Sequence, residues 1–451
     1  MHPKRSSVLL ATAVLVLAGS SLASNPYTED PGFKAKDFQE RCQRLVSAAP
    51  DGIIIVGNAG TANAAWLTGA QGREARLILV PEPVRRKAAQ AGMESTLFLP
   101  PASPRWGVWD DPELSPGEAA VLRTGVPRTA ELKDFYVTLA AWAPFVSRVY
   151  VCRRGRSGQS ADLGQDVLET VARVLPSAGF ENLMPLLDDV RWSKSSREIE
   201  VMRKACRLTS DAFLAATRSA RPGMYEYEVE AVISYVFRKN GAAGPDFLIV
   251  GSGPNSCVLH HMGNDRLMGE GELLLLDFGV DYHGMATDLT RTVPLSGKFS
   301  AEQKKVYAIV LEAQKKAISV VRPGATLGDV HRAAFEVIDK AGFGKYFIHG
   351  SGHSLNGGSG FRAGEPPSSA GLRTDQERLA LYAGQDNVLR PGCIFTIEPG
   401  IYIPGKNIGV RIEDDVLVTE SGCEVLTRDA PKEIAEIEKL MADRPKAADV
   451  R

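Results

Sequence analysis

The chain has 451 residues, enough for about two or three domains, and its composition of 44% apolar and 24% charged residues is that of a globular protein with a sizeable core. Its net charge is −1 and it has no long basic run, which argues against a nucleic-acid or other polyanionic partner.

The amino-terminal residues differ in character from the rest of the chain. Lys4 and Arg5 precede an apolar run over residues 8–18, and a small-x-small pattern ends at Ala23. This arrangement predicts a secretory signal peptide over residues 1–23. An uncleaved anchor is the alternative, although the apolar run is short for a membrane span. We therefore expect an exported protein, periplasmic or secreted, that has no membrane contact once the signal is cleaved.

Residues 26–190 alternate short β-type runs with helical patterns, which predicts an α/β domain with a mixed sheet. This region contains no histidine and offers no candidate set of catalytic groups. The predicted strands cover residues 52–56, 76–80, 96–99 and 148–151, and the predicted helices cover residues 83–91, 130–141 and 161–175.

A domain boundary is predicted at residue 190, which makes residues 191–440 the second domain and residues 441–451 a polar tail. The second domain contains a faint internal repeat. Residues 221–241 and 322–342 each run from an Arg-Pro-Gly turn through a helical pattern to a glycine. Two similar halves that face each other across a site are the simplest interpretation, and two unrelated turns are the alternative.

The stretch over residues 272–294 has the pattern of a β-hairpin. Four leucines, typical of a strand buried on both faces, lead into Asp277, and Asp288 follows on a second strand-like run. If the turn centres between Tyr282 and His283, the two aspartates face each other with Cβ atoms about 5 Å apart. Like charges so placed repel, so we expect a cation between them. One buried and one solvated aspartate is the alternative.

A second hairpin repeats this arrangement over residues 396–415. Its turn is predicted at residues 404–407, where proline, glycine and asparagine form a strong turn signal. Centred there, the turn places Glu398 opposite Glu413. Two hairpins that each carry a facing pair of carboxylates among apolar residues indicate a metal site.

The histidines and the charge balance sharpen this interpretation. His349 and His353 lie in a glycine-rich segment, and imidazole is a common metal ligand. His331 is expected to be structural and His283 to be solvated. Four carboxylates and one imidazole would balance two divalent cations, which could then acidify a bridging water. Mostly oxygen ligands with one nitrogen suit Mn²⁺ best, with Co²⁺, Fe²⁺ and Zn²⁺ as alternatives.

These residues resemble the metal-ligand set of the M24 metallopeptidases, and the duplicated half resembles their "pita-bread" fold. Within that superfamily, residues 252–260 and 288–294 are most similar to the aminopeptidase P (Xaa-Pro aminopeptidase) branch, and next to prolidase. The resemblance implies an α+β protein in which a pita-bread catalytic domain of duplicated α/β halves follows a smaller α/β amino-terminal domain.

The resemblance also implies a ligand set by position. Asp288 and Glu413 would bridge two divalent metal ions. His353 and Glu398 would complete the coordination of one ion, and Asp277 that of the other.

Further roles follow from the same resemblance. Glu398 would shuttle protons, His260 and His349 would line the substrate site, and Arg411 and Tyr402 would support the ligands. The implied partner is a peptide with proline at its second position. The implied reaction is hydrolysis of its first peptide bond, with a metal-bound hydroxide as nucleophile.

One departure from the family pattern keeps other functions open. The family has a further histidine seven residues after the metal histidine, where this chain has Gly360, and no histidine follows His353. The alternatives are a prolidase that cleaves Xaa-Pro dipeptides, a weakly active or inactive peptide-binding M24 protein, and a creatinase-like hydrolase. The pairing of the six cysteines and the oligomeric state, a homodimer or a larger homo-oligomer, are not assigned by the sequence.

Overall fold

The computed structural model of the chain describes residues 30, 32–57, 63–70, 74–88, 93–152, 163–355 and 388–444. The predicted signal peptide and Gly360 lie outside these ranges.

The amino-terminal part of the described chain is built on one mixed sheet, as predicted. Its strands are β1 (Ile53–Gly57), β2 (Arg76–Leu79), β3 (Thr96–Leu99), β4 (Arg128–Glu131), β5 (Arg148–Val151) and β6 (Gly179–Asn182). Its helices are α1 (Ala35–Ala48), α2 (Asn63–Thr68), α3 (Glu82–Ala88), α4 (Glu118–Thr124), α5 (Phe135–Trp142), α6 (Gln165–Val174) and α7 (Met184–Trp192). The strand order is β4-β3-β2-β1-β5-β6, with β1 antiparallel to β2 and parallel to β5.

The predicted helix over residues 130–141 is wrong in its first part. Ala130 belongs to β4, where it pairs with Phe98 of β3, and the helix begins only at Phe135. Strand pairing has overridden the helix propensity of alanine here. Strands β4 and β6 escape prediction because both lie at sheet edges and neither contains a fully buried residue, so they lack a continuous apolar pattern.

The second part of the described chain consists of two related halves. The first half contains α8 (Ser196–Ser219), α9 (Glu226–Lys239), β7 (Gly244–Ser252), β8 (Leu273–Tyr282), β9 (Met285–Ala286) and β10 (Leu289–Pro294). The second half contains α10 (Ala301–Ser319), α11 (Leu327–Lys340), β11 (Ile394–Ile397), β12 (Gly400–Ile403), β13 (Ile408–Arg411), β14 (Asp414–Val418), β15 (Cys423–Val425) and α12 (Ile434–Ala442). Helices α9 and α11 have 14 residues each and begin at the same offset as the two Arg-Pro-Gly turns, which agrees with the predicted repeat.

Helix α8 begins after a serine cap and also joins the two parts of the chain. The Ser195 hydroxyl accepts a hydrogen bond from the Glu198 backbone N–H, and the Glu198 carboxylate accepts one from the Ser195 backbone N–H at 2.9 Å. The same carboxylate lies 3.0 Å from Arg41 Nε and 3.4 Å from Arg44 Nη1, both on α1. This buried carboxylate therefore anchors α1 to the start of the second part.

The predicted pairing of Asp277 with Asp288 in the first hairpin is wrong by two residues. Asp277 pairs with Thr290, and the chain turns at His283 and Gly284, whose φ angles are 55° and 77°. A two-residue turn with positive φ at both positions matches the twist of the strands and favours glycine at the second position. A shift of two residues leaves every side chain on its original face, so the carboxylates still face the same site.

The predicted register of the second hairpin is confirmed. Gly400 pairs with Arg411 between β12 and β13, and Ile397 pairs with Asp414 between β11 and β14. Glu398 and Glu413 lie in the short gap between these two ladders. They are therefore opposite each other, as the turn at residues 404–407 predicts.

Neither a disulfide nor a helix able to cross a membrane occurs among the described residues. All six cysteines lie within the described ranges, and none of them is joined to another. The long helices of those ranges carry too many charged residues to span a bilayer.

Candidate metal centre

Side chains from both halves converge on one buried site. Potential ligand atoms of Asp288, His353 and Glu413 lie within 4.8 Å of one another, and all three residues are buried. His353 Nε2 lies 3.3 Å from Asp288 Oδ2 and 3.7 Å from Glu398 Oε1. The two hairpins and the glycine-rich segment before residue 353 thus contribute to the same site, as predicted.

Asp277 joins this group through Arg411. Arg411 is buried and donates from Nη2 to Asp277 Oδ2, from Nη1 to Tyr402 Oη at 2.8 Å and from Nε to Thr290 Oγ1 at 3.2 Å. Burial disfavours the guanidinium charge, yet Tyr402, Asp277 and Glu398 hold the pKa of Arg411 well above its usual range. Of the predicted supporting pair, Arg411 therefore contacts the predicted ligand Asp277, and Tyr402 contacts Arg411.

Buried carboxylate oxygens without hydrogen-bond donors make the site suited to a cation. Within the described part of the chain, Asp277 Oδ1 and Glu413 Oε1 are buried and have no hydrogen-bond partner. Burial, and then the negative charges of Asp288, Glu398 and Asp277, raise the pKa of Glu413 well above its usual range. Ionised carboxylates in such a setting need a compensating positive charge. The donor set of four carboxylates and one imidazole fits divalent metal ions.

Arg291, which the sequence interpretation missed, links the chain segments that contain Asp288 and Glu413. It is fully buried, and its Nη1 donates to the backbone carbonyls of Thr290 at 3.0 Å and of Glu413. Its Nη2 donates to Asp414 Oδ1 at 2.7 Å, and Lys432 Nζ lies 2.5 Å from Asp414 Oδ2. Although burial alone would raise the pKa of Asp414, Arg291 and Lys432 lower it. An arginine inside an apolar strand run was the sequence signal for this network.

A second residue that the sequence interpretation missed, Asp415, orients Asp288. The Asp288 backbone N–H donates to Asp415 Oδ2 at 3.1 Å, and the buried Cys206 thiol donates to the same atom at 3.3 Å. Burial raises the pKa of Asp415 to about 8. This contact explains why Asp288 lies between strands β9 and β10 rather than within the ladder.

His349 is held in one tautomer by its neighbours. Its Nδ1 lies 2.7 Å from the Gly350 carbonyl oxygen, which can only accept, so Nδ1 carries a proton. In the neutral ring, Nε2 then accepts from the Tyr402 hydroxyl at 2.8 Å. Burial raises the pKa of Tyr402, which keeps that hydroxyl protonated. His349 Nδ1 also lies 3.8 Å from Glu398 Oε2, so this histidine borders the carboxylates as predicted.

The other predicted histidines lie at the edge of the site or outside it. His260 is exposed, but the carbonyl oxygen of the preceding residue, Leu259, accepts from Arg411 Nη2 at 3.4 Å. His331 is buried with its Nδ1 2.8 Å from Ser351 Oγ, which fits the expected structural role. His283 is exposed at the hairpin turn, as expected.

Sequence comparison relates the second part of the chain to known peptidases. The model of metallopeptidase family M24 matches residues 200–420. The Xaa-Pro aminopeptidase of Escherichia coli (strain K12) is 37% identical over 57% of this chain and 61% of its own length, which is less than two thirds of that enzyme. The Xaa-Pro dipeptidase of Pyrococcus horikoshii is 36% identical over 60% of this chain and 72% of its own length.

Comparison with solved structures extends the likeness to the amino-terminal part. The Pseudomonas aeruginosa aminopeptidase PepP superposes with a TM-score of 0.77 and 31% identity, covering 91% of this chain and 98% of that one. Proline aminopeptidase P II from Yersinia pestis gives a TM-score of 0.76 with 28% identity, covering 91% of this chain and 100% of that one. The predicted architecture, a pita-bread domain preceded by a smaller α/β domain, is confirmed by these likenesses.

Proposed function

Because the chain belongs to metallopeptidase family M24, we propose that it hydrolyses the peptide bond between an amino-terminal residue and a proline in the second position. The observation that carries this proposal is the convergence of Asp277, Asp288, His353, Glu398 and Glu413 on one buried site. The E. coli relative is an Xaa-Pro aminopeptidase, which supports this substrate class. A proline nitrogen carries no N–H, so such bonds need a dedicated site.

The residues present would hold two divalent metal ions. Asp288 and Glu413 would bridge them, His353 and Glu398 would complete one coordination shell, and Asp277 the other. Bound there, the metals would supply Lewis acidity and lower the pKa of a bound water. A donor set made mostly of oxygen favours Mn²⁺, with Co²⁺, Fe²⁺ and Zn²⁺ as the alternatives to be compared.

Glu398 is the residue best placed to move protons in this reaction. Its side chain is 17% exposed, and its two oxygens face different histidines, His353 and His349. It can therefore take a proton from the attacking water and deliver it to the proline nitrogen that leaves. His349 and His260 would contact the substrate peptide, while Arg411 keeps Asp277 in place.

A peptide panel tests the proposal directly. We expect cleavage of Xaa-Pro-Xaa peptides when Mn²⁺ is added, no cleavage after chelation, and no cleavage of matched Xaa-Ala-Xaa peptides. Cleavage of the alanine peptides at an equal rate, or no cleavage of any proline peptide, would contradict the proposed substrate class.

A dipeptidase is the second candidate, because the Pyrococcus horikoshii relative with 72% of its length aligned is an Xaa-Pro dipeptidase. The two candidates differ in the length of the accepted peptide. Cleavage of Xaa-Pro dipeptides without cleavage of Xaa-Pro-Xaa tripeptides would favour the dipeptidase. The reverse preference would favour the aminopeptidase.

Gly360 supports a third possibility, in which metal binding is retained but turnover is low. A hydrogen-bond donor that stabilises the transition state is typically worth about 10²–10³ in rate, and glycine has no side chain to donate. The variant Gly360→His, alone or with Phe361→Asp, is then expected to raise the rate. A natural rate of about 10 per second that Gly360→His leaves unchanged would contradict this account.

We also propose that the protein is exported and that the mature chain begins after Ala23. The basic, apolar and small-residue pattern at the start of the sequence supports this proposal. Amino-terminal sequencing of protein from the native compartment tests it. An intact Met1 on cytoplasmic protein would contradict it.

A further inference from the structure

Glu226 lies outside the metal centre, yet its carboxylate is among the most heavily hydrogen-bonded in the described chain. It lies in the first turn of α9, and its side chain is fully buried. All of its donors come from residues 252–266, at both ends of that segment. They are the N–H and Oγ of Ser252, both at 2.7 Å, Nδ2 of Asn255 at 3.1 Å and the N–H of Arg266 at 3.1 Å. Nε2 of His261 also lies 3.0 Å from the carboxylate.

The opposite side of this segment contacts the hairpin that carries Arg411. The Gly409 backbone N–H donates to Ser256 Oγ at 2.9 Å. A Cβ on Gly409 would lie 1.9 Å from the Ser256 carbonyl oxygen, so the two backbones approach as closely as only glycine allows. Leu259 packs beside Tyr402, and its carbonyl accepts from Arg411. Residues 252–266 are therefore held between α9 and the β12–β13 hairpin.

Within this segment, exposed and inward residues alternate around His260. Val258, His260 and Met262 are exposed, whereas Leu259 and His261 are partly buried. His261 is the residue that bonds to Glu226, and Leu259 is the residue that contacts Arg411. The residues on both sides of His260 are thus held in place, His261 by Glu226 and Leu259 by Arg411. The side chain of His260 between them is exposed.

We propose that Glu226 is a positioning residue that holds His260 in place for the substrate. This inference rests on the proposed function, in which His260 contacts the peptide. Glu226, His261 and Asp265 could also be taken for a small metal site, since their ligand atoms are close together. A cation there would have to displace the donors that already surround Glu226, and Asp265 is exposed. The positioning role uses the hydrogen bonds as they are.

Hydrogen exchange tests the structural half of the proposal without any activity measurement. Glu226→Gln places an amide group among backbone and side-chain donors, so amide exchange over residues 253–263 is expected to accelerate about tenfold or more. Glu228→Gln is the matched control, because Glu228 lies on the same helix, is exposed and, among the residues that the structure describes, accepts only from the Tyr225 N–H, at 2.7 Å. Unchanged exchange in Glu226→Gln, or equal acceleration in both variants, overturns the proposal.

Kinetics with double variants test whether Glu226 acts through His260. We expect Glu226→Gln to lower kcat/KM on an Xaa-Pro peptide on the order of 10–100-fold, while the content of bound Mn²⁺ stays unchanged. In a His260→Ala background, the same substitution is expected to have no further effect. Multiplying losses in the double variant, or lost metal in Glu226→Gln, overturns the proposal.

A milder variant covers the case in which Glu226→Gln does not fold. His261→Ala removes the contacts of the imidazole with Glu226, Asn255 and the Asn264 N–H but leaves the other donors to Glu226 in place. We expect the same changes in exchange and kinetics at smaller size. Absence of both changes overturns the proposal. A wild-type protein that cleaves no Xaa-Pro peptide contradicts the proposed function instead, and the exchange experiment still decides whether Glu226 holds the segment.

Discussion

Two groups of carboxylates and histidine in the described chain are each compact enough to hold a metal ion. They are Asp288, His353 and Glu413 in one place, and Glu226, His261 and Asp265 in another. In the second group, the buried Glu226 carboxylate is surrounded by hydrogen-bond donors. In the first, Glu413 Oε1 is buried without a donor. Residue types alone do not separate the two groups, whereas the supply of hydrogen-bond donors does.

The same comparison explains why the buried carboxylates of the first group are electrostatically unfavourable without a cation, whereas Glu226 in the second group is not. Burial and neighbouring negative charges raise the pKa of Glu413 well above its usual range. Glu226 is equally buried, but five polar groups of residues 252–266 satisfy its oxygens. A bound cation would compensate the negative charge of the first group. The second group has no such need, because hydrogen bonds already satisfy the Glu226 carboxylate.

Removal of a bridging carboxylate is the strongest test of this contrast. Suppose that a metal-binding free energy of about 10–16 kcal/mol is shared among the four ligands of one ion. Losing one ligand then costs on the order of 3 kcal/mol, or more than about 100-fold in metal affinity. We expect Asp288→Ala and Glu413→Ala to show such losses by elemental analysis, and Asp277→Ala a smaller one. A stoichiometry of one metal, or equal losses in all three variants, would contradict the bridging assignment.

Arg291→Met tests whether the first group depends on the hydrogen bonds from Arg291 to the backbone carbonyls of Thr290 and Glu413. Breaking a buried ion pair typically costs about 3–5 kcal/mol, and we expect about 2–3 kcal/mol here because Lys432 still pairs with Asp414. Denaturant unfolding measures the loss. The double variant Arg291→Met with Asp414→Asn is the control, since it removes both fully buried charges of the pair, while the partly exposed Lys432 keeps its hydrogen bond to Gln314. A double variant less stable than the single one would contradict this account.

Glu413→Gln should change stability in opposite directions with and without metal. In chelated protein, folding must either bury a charged Glu413 beside three other carboxylates or protonate it against its usual pKa. Glutamine avoids both costs, so the free energy of unfolding is expected to rise by about 1 kcal/mol or more. With Mn²⁺ present, the same variant should be less stable than the natural protein, because metal binding stabilises the folded state. Thermal melts in both conditions check this. A variant that is less stable in both would show that no charge repulsion exists.

The smallest effect is expected at the exposed member of the second group. Asp265→Asn should leave the free energy of unfolding within about 0.5 kcal/mol of its natural value, as surface substitutions usually do. Bound metal should also be unchanged. A measurable loss of metal in Asp265→Asn would show that the second group binds an ion, and the comparison would then fail.

The four carboxylate positions could be predicted from the sequence because each lies on a hairpin with a local turn signal, whereas His353 was found from its glycine-rich segment. The register of the second hairpin follows from the turn at residues 404–407, and the structure confirms it. The first register fails because His283 adopts a positive φ, which is rare for residues other than glycine and shifts the turn by one residue. The shift leaves each side chain on its predicted face of the strand, so the carboxylates still face the same site.

The supporting network could not be predicted because its contacts join distant parts of the sequence. Arg291 meets Asp414, Asp415 meets Asp288, and Glu226 meets His261 across gaps that no local pattern spans. The sequence offers only an indirect sign, a charged residue within an otherwise apolar strand. Such a residue needs a partner, but its identity depends on tertiary packing.

The network around Asp414 has a consequence for the timing of biosynthesis. Arg291 donates to the backbone carbonyls of Ala430 and Pro431, and Lys432 pairs with Asp414. These contacts can therefore form only after residues 430–432 have been synthesised. At about 5–20 residues per second, Lys432 leaves the ribosome roughly 7–30 s after Asp288. During that interval the early half carries its aspartates without their partners. A nascent chain that has not yet reached Lys432 would therefore have no complete metal-binding pocket, and metal capture would follow the synthesis of that residue.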